Sequence, residues 1–290
     1  MREFHYARPE TLEEALALMR GGDARALAGG TDLIPQLREG RINAATIVDV
    51  KGLAELTAIS PAHDGGIKIG AAASAAALAR HPAIAGAFPA VAQSARLIGS
   101  AQIQSRASLG GNICNAAPSA DAVPALICHG GRALIADASG RREEALEQVF
   151  AGPGRTLLGA TALLVAILLP PPPPRTAARY LRFTPRREMD IAIAGAGALI
   201  GLDAQGSIAT ARIVLASVAP TPLRACAAER VLIGERPTPR LLQEAGRCAA
   251  DEARPIADTR GSAEYRRALV RALTARALSD CCAQLTELKC

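Results

Sequence analysis

The chain has 290 residues, half of them apolar, enough for one large domain or two ordinary ones, and this excludes intrinsic disorder. Its 33 basic and 27 acidic residues leave a net charge of +6, almost all from arginine, since only Lys51, Lys68 and Lys289 are lysines. That excess is too mild for a nucleic-acid footprint, and seven aromatic residues with no Trp give no base-stacking platform, so no nucleic-acid partner is expected.

Glu3 to Ala7 reads as a short strand. A helix opens after Pro9, with Thr11 as N-cap, Glu14 at the capping-box spacing and an apolar stripe of Leu12, Ala15, Leu16 and Met19. Ala24 to Ala28 is a buried strand that runs into Gly29-Gly30-Thr31-Asp32. Leu33 to Arg38 is helical, and Ala45 to Val50 is a second buried strand. This alternation is that of a small α/β layer. The texture changes near Leu56. Strands are expected at Thr57–Ile59 and Gly66–Gly70, then helices at Ser74–Arg80 and Pro89–Ile98, then strands at Arg132–Asp137 and Leu163–Leu169. Five prolines, Pro170 to Pro174, form a stiff connector and the best boundary in the chain. Beyond it come strands at Ala178–Thr184, Ile191–Leu202 and Ile208–Val218, then helices at Arg240–Asp251 and Ala263–Thr286.

The seven cysteines are odd in number and include no CxxC pair. His5, His63, His81 and His129 lack ligand spacing, so no metal site is expected. The first residues carry acids where a signal peptide is apolar. The longest apolar run, Leu157 to Leu169, has 13 residues and is too short to span a bilayer. The expectation is a cytoplasmic, reducing compartment with no membrane span.

Two segments carry chemistry. Leu27-Ala28-Gly29-Gly30-Thr31-Asp32-Leu33 is a strand–turn–helix whose outward amides suit a diphosphate; an ordinary glycine turn would have the same pattern. Ser108-Leu109-Gly110-Gly111-Asn112-Ile113-Cys114-Asn115-Ala116-Ala117-Pro118-Ser119-Ala120-Asp121 pairs glycines with small hydrogen-bonding side chains and shows no regular element. Its polar groups need partners, from a ligand, turns or water. Gly195 to Gly201 mimics a nucleotide fingerprint but has GxGxxxG spacing inside a strand-like run, so it reads as packed strand.

The two segments about eighty residues apart, AGGTDL and SLGGNICNAAPSAD, closely resemble the FAD-binding subunit of the molybdenum hydroxylases, relatives of xanthine dehydrogenase and carbon monoxide dehydrogenase. The resemblance continues through Arg182-Phe183-Thr184-Pro185-Arg186-Arg187-Glu188-Met189-Asp190-Ile191-Ala192 and covers nearly the whole chain. It implies an α+β fold. Residues 1–174 would form a two-lobed FAD-binding domain of the vanillyl-alcohol oxidase (PCMH) type, with lobes of about 1–56 and 57–174. Residues 175–290 would form a C-terminal domain with a three-stranded antiparallel sheet and a helical bundle.

The resemblance also implies site residues. Ala28, Gly29, Gly30, Thr31, Asp32 and Leu33 would hold the FAD diphosphate, as would Ser108, Leu109, Gly110, Gly111 and Asn112. Asp121 matches a FAD-contacting acid. Ile98 stands where xanthine dehydrogenases have a Phe beside the cofactor, and Leu164 matches an apolar position of the second lobe. Arg182 stands where those enzymes carry a Lys; the other reading pairs it with Glu188 or another surface acid. FAD would be non-covalent. No iron–sulfur cluster is expected near Cys114, because the chain has no insert between Asn112 and Cys128. In such enzymes a large molybdopterin subunit oxidises substrate, a small subunit relays electrons through two [2Fe–2S] clusters, and the flavin passes them to an external acceptor. The implied assembly is a dimer of heterotrimers, and no catalytic acid, base or nucleophile is expected from this chain. The alternative is a stand-alone FAD-dependent oxidoreductase of the same fold. A non-enzymatic arginine-rich module would leave both glycine segments unexplained.

Overall fold

The computed structural model describes residues 2–287, so Lys289 and Cys290 lie outside it. The first lobe is built on a parallel sheet of β1 (His5–Ala7), β2 (Ala24–Leu27) and β3 (Thr46–Asp49), in the order β1-β3-β2. Parallel neighbours need crossovers, and helices α1 (Leu12–Met19) and α2 (Leu33–Arg38) supply them. Thr11 caps α1 by accepting the Glu14 N–H at 3.2 Å, and the Glu14 carboxylate accepts the Glu10 N–H at 2.8 Å. Leu12, Ala15 and Met19 are the buried stripe.

The second lobe starts at α3 (Ala54–Thr57), which takes the first residue of the strand predicted at Thr57–Ile59; the strand β4 begins two residues later, at Ile59–Pro61. It pairs with β5 (Ile67–Gly70). Six short helices follow: α4 (Ala75–Arg80), α5 (Pro82–Ala87), α6 (Pro89–Ala95), α7 (Ala101–Gln104), α8 (Leu109–Asn115) and α9 (Ala122–Cys128). The lobe closes with the hairpin β6 (Arg132–Asp137) and β7 (Gly140–Ala145), the small hairpin β8 (Phe150–Gly152) and β9 (Arg155–Thr156), and β10 (Leu163–Leu169). The sheet order β4-β5-β10-β6-β7 puts β10 at the centre, with antiparallel neighbours on both sides. That position explains why Leu163 to Leu169 is apolar without alternation. Leu163 and Val165 pack on the first lobe with Leu12, Val48 and Leu56, while Leu164 and Ile167 face the helices.

The five prolines separate β10 from β11 (Thr176–Phe183). β11, β12 (Ala194–Leu202) and β13 (Ile208–Ala216) are the three expected antiparallel strands. A fourth, β14 (Leu223–Arg224), extends the sheet by pairing with Val214 and Leu215. A two-residue strand has no periodicity to read, so the three-stranded expectation becomes a four-stranded sheet. The helices α10 (Cys226–Leu232), α11 (Pro239–Glu252) and α12 (Ala263–Glu287) complete the domain, with α12 lying on β11 and β12. Among the described residues, no helix is long and apolar enough to cross a membrane.

Candidate cofactor site

The loop after β2 leaves the carboxyl end of the parallel sheet, where open α/β sheets form their ligand crevices. Gly30 has φ +74 and its carbonyl accepts the Ile34 N–H at 3.1 Å, which starts α2. Among the described residues, the N–H groups of Gly29, Gly30 and Thr31 have no acceptor. Gly29 is pressed on the two residues that lead into the second segment: a Cβ there would run into the carbonyl oxygen of Arg106 and lie 2.9 Å from the Cα of Ala107.

The second segment is more regular than its composition suggests. Leu109–Asn115 is helical, correcting the expectation of no regular element. Ser108 is the reason: its Oγ accepts the Gly111 N–H at 3.1 Å, and its carbonyl accepts that of Asn112 at 3.0 Å. Leu109 and Ile113 anchor the helix in the core. The two glycines differ. Gly110 is buried, donates to Ala71 O at 2.9 Å, and would put a Cβ 2.5 Å from Ala71 Cβ. Its missing side chain makes room for Ala71, not for a ligand. Gly111 is exposed, and its nearest neighbour is Ser108 Oγ at 3.1 Å from a built Cβ. Neither glycine has positive φ. The Oδ1 of Asn112 is buried without a partner. Gln36 on α2 donates to Asn115 Oδ1 at 2.9 Å, tying α8 to the helix that the first loop opens.

A second group joins the two domains. Asp121, just before α9, is buried and accepts the Tyr180 hydroxyl at 2.8 Å. Its other oxygen pairs with Arg182 Nη1. The partner of Arg182 is therefore this buried acid rather than Glu188. Burial pushes the Asp121 carboxyl upward, while Arg182 and Tyr180 oppose the shift. Leu164 lies in the core beneath α8, and Ile98, half-buried beyond α6, packs on that same core.

Gly29 thus meets the residues directly before Ser108, Gln36 meets Asn115, and Asp121 meets Arg182. Tyr180 and Gln36 escaped the sequence reading, and Asn115 stood there only as one polar residue of the second segment. Only Tyr180 left a signal, since it shares a strand face with Arg182 at spacing i, i+2. The first loop offers free N–H donors, Gly111 is open, and Asn112 Oδ1 lacks a partner. This donor and acceptor set fits a dinucleotide with an anionic diphosphate.

The chain belongs to the family described as the FAD binding domain in molybdopterin dehydrogenase, which matches residues 2–172; residues 179–281 match the CO dehydrogenase flavoprotein C-terminal domain. It is a FAD-binding subunit of the molybdenum hydroxylase class. Among the relatives, the xanthine dehydrogenase FAD-binding subunit of Escherichia coli O157:H7 is 31% identical over 95% of this chain and 94% of its own length. The carbon monoxide dehydrogenase medium chain of Afipia carboxidovorans is 31% identical, covering 95% of both chains. The solved carbon monoxide dehydrogenase of Hydrogenophaga pseudoflava superposes with a TM-score of 0.93 at 30% identity, over 97% of this chain and 98% of that one.

Proposed function

We propose that this chain accepts electrons from [2Fe–2S] clusters of a small subunit and passes them to an external acceptor, while a large molybdopterin subunit oxidises the substrate. The observation that carries the reading is that the first glycine segment packs at Gly29 on Arg106 and Ala107, the two residues that lead directly into the second. When bound, FAD would supply both one- and two-electron chemistry, as such a relay needs. The chain's residues bind and orient. Gly29, Gly30 and Thr31 would donate N–H groups to the diphosphate, with Ala28, Asp32 and Leu33 shaping that loop. Ser108 to Asn112 would close the other side, with Gly111 leaving the approach open. Asp121 and Arg182 would set the local charge. Ile98 and Leu164 would back the cofactor with apolar surface.

The division into residues 1–174 and 175–290, non-covalent FAD and a dimer of heterotrimers belong to the same proposal. So does a cytoplasmic location, which the free thiols of Cys128 and Cys281 support. The test is co-expression with the neighbouring subunits. The purified complex should show flavin absorption bands, molybdenum and about four irons per flavin, the content of two [2Fe–2S] clusters. Acid precipitation should release all the flavin as FAD. A lone chain that turns over a substrate by itself would establish the stand-alone oxidoreductase instead.

A further inference from the structure

The segment that bears Asp121 is fastened to the C-terminal domain at both ends. At one end Ser217, just past β13, donates its N–H to Pro118 O at 2.8 Å. Ser217 does so at φ +66, a left-handed conformation that is costly for a serine and is kept only where surroundings enforce it. At the other end Tyr180 and Arg182 each take one oxygen of Asp121. Tyr180 is fully buried, at 1% exposure, and its ring lies over Gly195 of the neighbouring strand. A Cβ on Gly195 would run into the Tyr180 hydroxyl and lie 3.1 Å from Cζ. Gly195 itself pairs with Arg182 across β11 and β12. The glycine that mimicked a nucleotide motif is therefore the space in which Tyr180 reaches Asp121.

We infer that Tyr180 is a positioning residue: through Asp121 it holds the Pro118–Asp121 stretch in register with Arg182, and Gly195 is glycine to admit its hydroxyl. This rests on the flavin reading above. The C-terminal domain thereby completes the cofactor segment that the other domain begins. Tyr180 is buried and its hydroxyl is bonded to Asp121, so its effect runs through that carboxylate. Without the hydroxyl, the negative charge on Asp121 is less compensated and opposes electron uptake nearby.

The test uses the full chain. Tyr180→Phe keeps the ring and removes the donor. It should weaken FAD binding about tenfold, the worth of one hydrogen bond to a charged group. It should also lower the two-electron equilibrium constant of the bound flavin by about twofold, or roughly 9 mV in the midpoint, less than the loss of a full charge. A purely structural role would leave that midpoint where it is. Gly195→Ala displaces the hydroxyl without removing it and should act in the same direction. In the Tyr180→Phe background it should add less, because the hydroxyl, the closest atom it meets, is gone and only the ring edge remains, at 3.1 Å from Cζ. Gly195→Ala also carries the test if Tyr180→Phe does not fold. Flavin-loaded wild type with both variants unchanged in affinity and midpoint overturns the inference and spares the flavin reading. Wild type that takes up no FAD overturns both.

Discussion

Gly29 and Arg106 meet backbone to backbone, with no room for a side chain at the glycine. The contact joins two segments far apart in sequence, and its partner atoms are main chain, which no rotamer change can move aside. Gly29→Ala is therefore expected to cost about 3 kcal/mol of stability by overpacking and to separate the two halves of the site. Denaturant unfolding of the apoprotein and flavin content after purification check both effects. A variant of wild-type stability would mean that this junction has slack.

Gly110 and Gly111 should respond differently to the same change. Gly110→Ala pushes a methyl group onto Ala71 and is expected to destabilise the apoprotein by about 1–3 kcal/mol. Gly111→Ala gains helix propensity and only nudges the Ser108 cap, so apoprotein stability should stay within about 1 kcal/mol of wild type. Its Cβ nevertheless intrudes where a ligand would approach, and FAD retention should fall, further in Gly111→Val. Calorimetry of apoproteins beside FAD titrations separates the two residues.

Arg182→Ala leaves Asp121 buried and without its countercharge, an arrangement expected to cost about 3–5 kcal/mol near neutral pH. The loss should shrink as pH falls, because a protonated Asp121 needs no partner. Arg182→Lys keeps the charge and should recover part of the loss. In flavin-loaded protein, Arg182→Ala should also lower the midpoint by about 20 mV, from roughly 1 kcal/mol of surviving Coulomb energy. Unfolding as a function of pH and spectroelectrochemistry are the two measurements.

His129 packs edge-on against Phe88, with ring centroids 5.1 Å apart, and its Nε2 is buried without a partner. Burial, helped by Arg212, pushes its pKa down to about 4 from 6.5. The unfolded chain thus binds a proton between those values that the folded chain refuses. Stability supplied by neutral His129 is fully present above pH 6.5 and is lost as pH falls toward 4, by about 3 kcal/mol. His129→Phe should flatten this slope. A wild-type curve flat between pH 4 and 6.5 would contradict the burial argument.

The elements legible in the sequence are those whose cause is local. Thr11 and Ser74 announce their helices through side-chain caps, and Leu163 to Leu169 announces a central strand through unbroken apolarity. Helix α8 was hidden because Gly110, Gly111, Asn112 and Asn115 are all poor helix formers; it forms because Ser108 caps it and Leu109 and Ile113 are buried. The two glycine segments were visible as a site, yet the reason for Gly110 is Ala71, a contact no motif encodes. The pairing of Asp121 with Arg182 spans 61 positions and two domains, beyond any local pattern.

The run Pro170 to Pro174 has a consequence for what the chain cannot become. It joins β10, at the centre of one sheet, to β11, at the edge of another. An ordinary five-residue stretch in extended conformation could pair along its whole length and merge the two strands into one long ribbon. Prolines supply no N–H, so the stretch cannot give its own half of such a ladder's bonds. The run works as an insulator: β10 and β11 pair in separate sheets, and the five residues after β10 donate no backbone hydrogen bond to either.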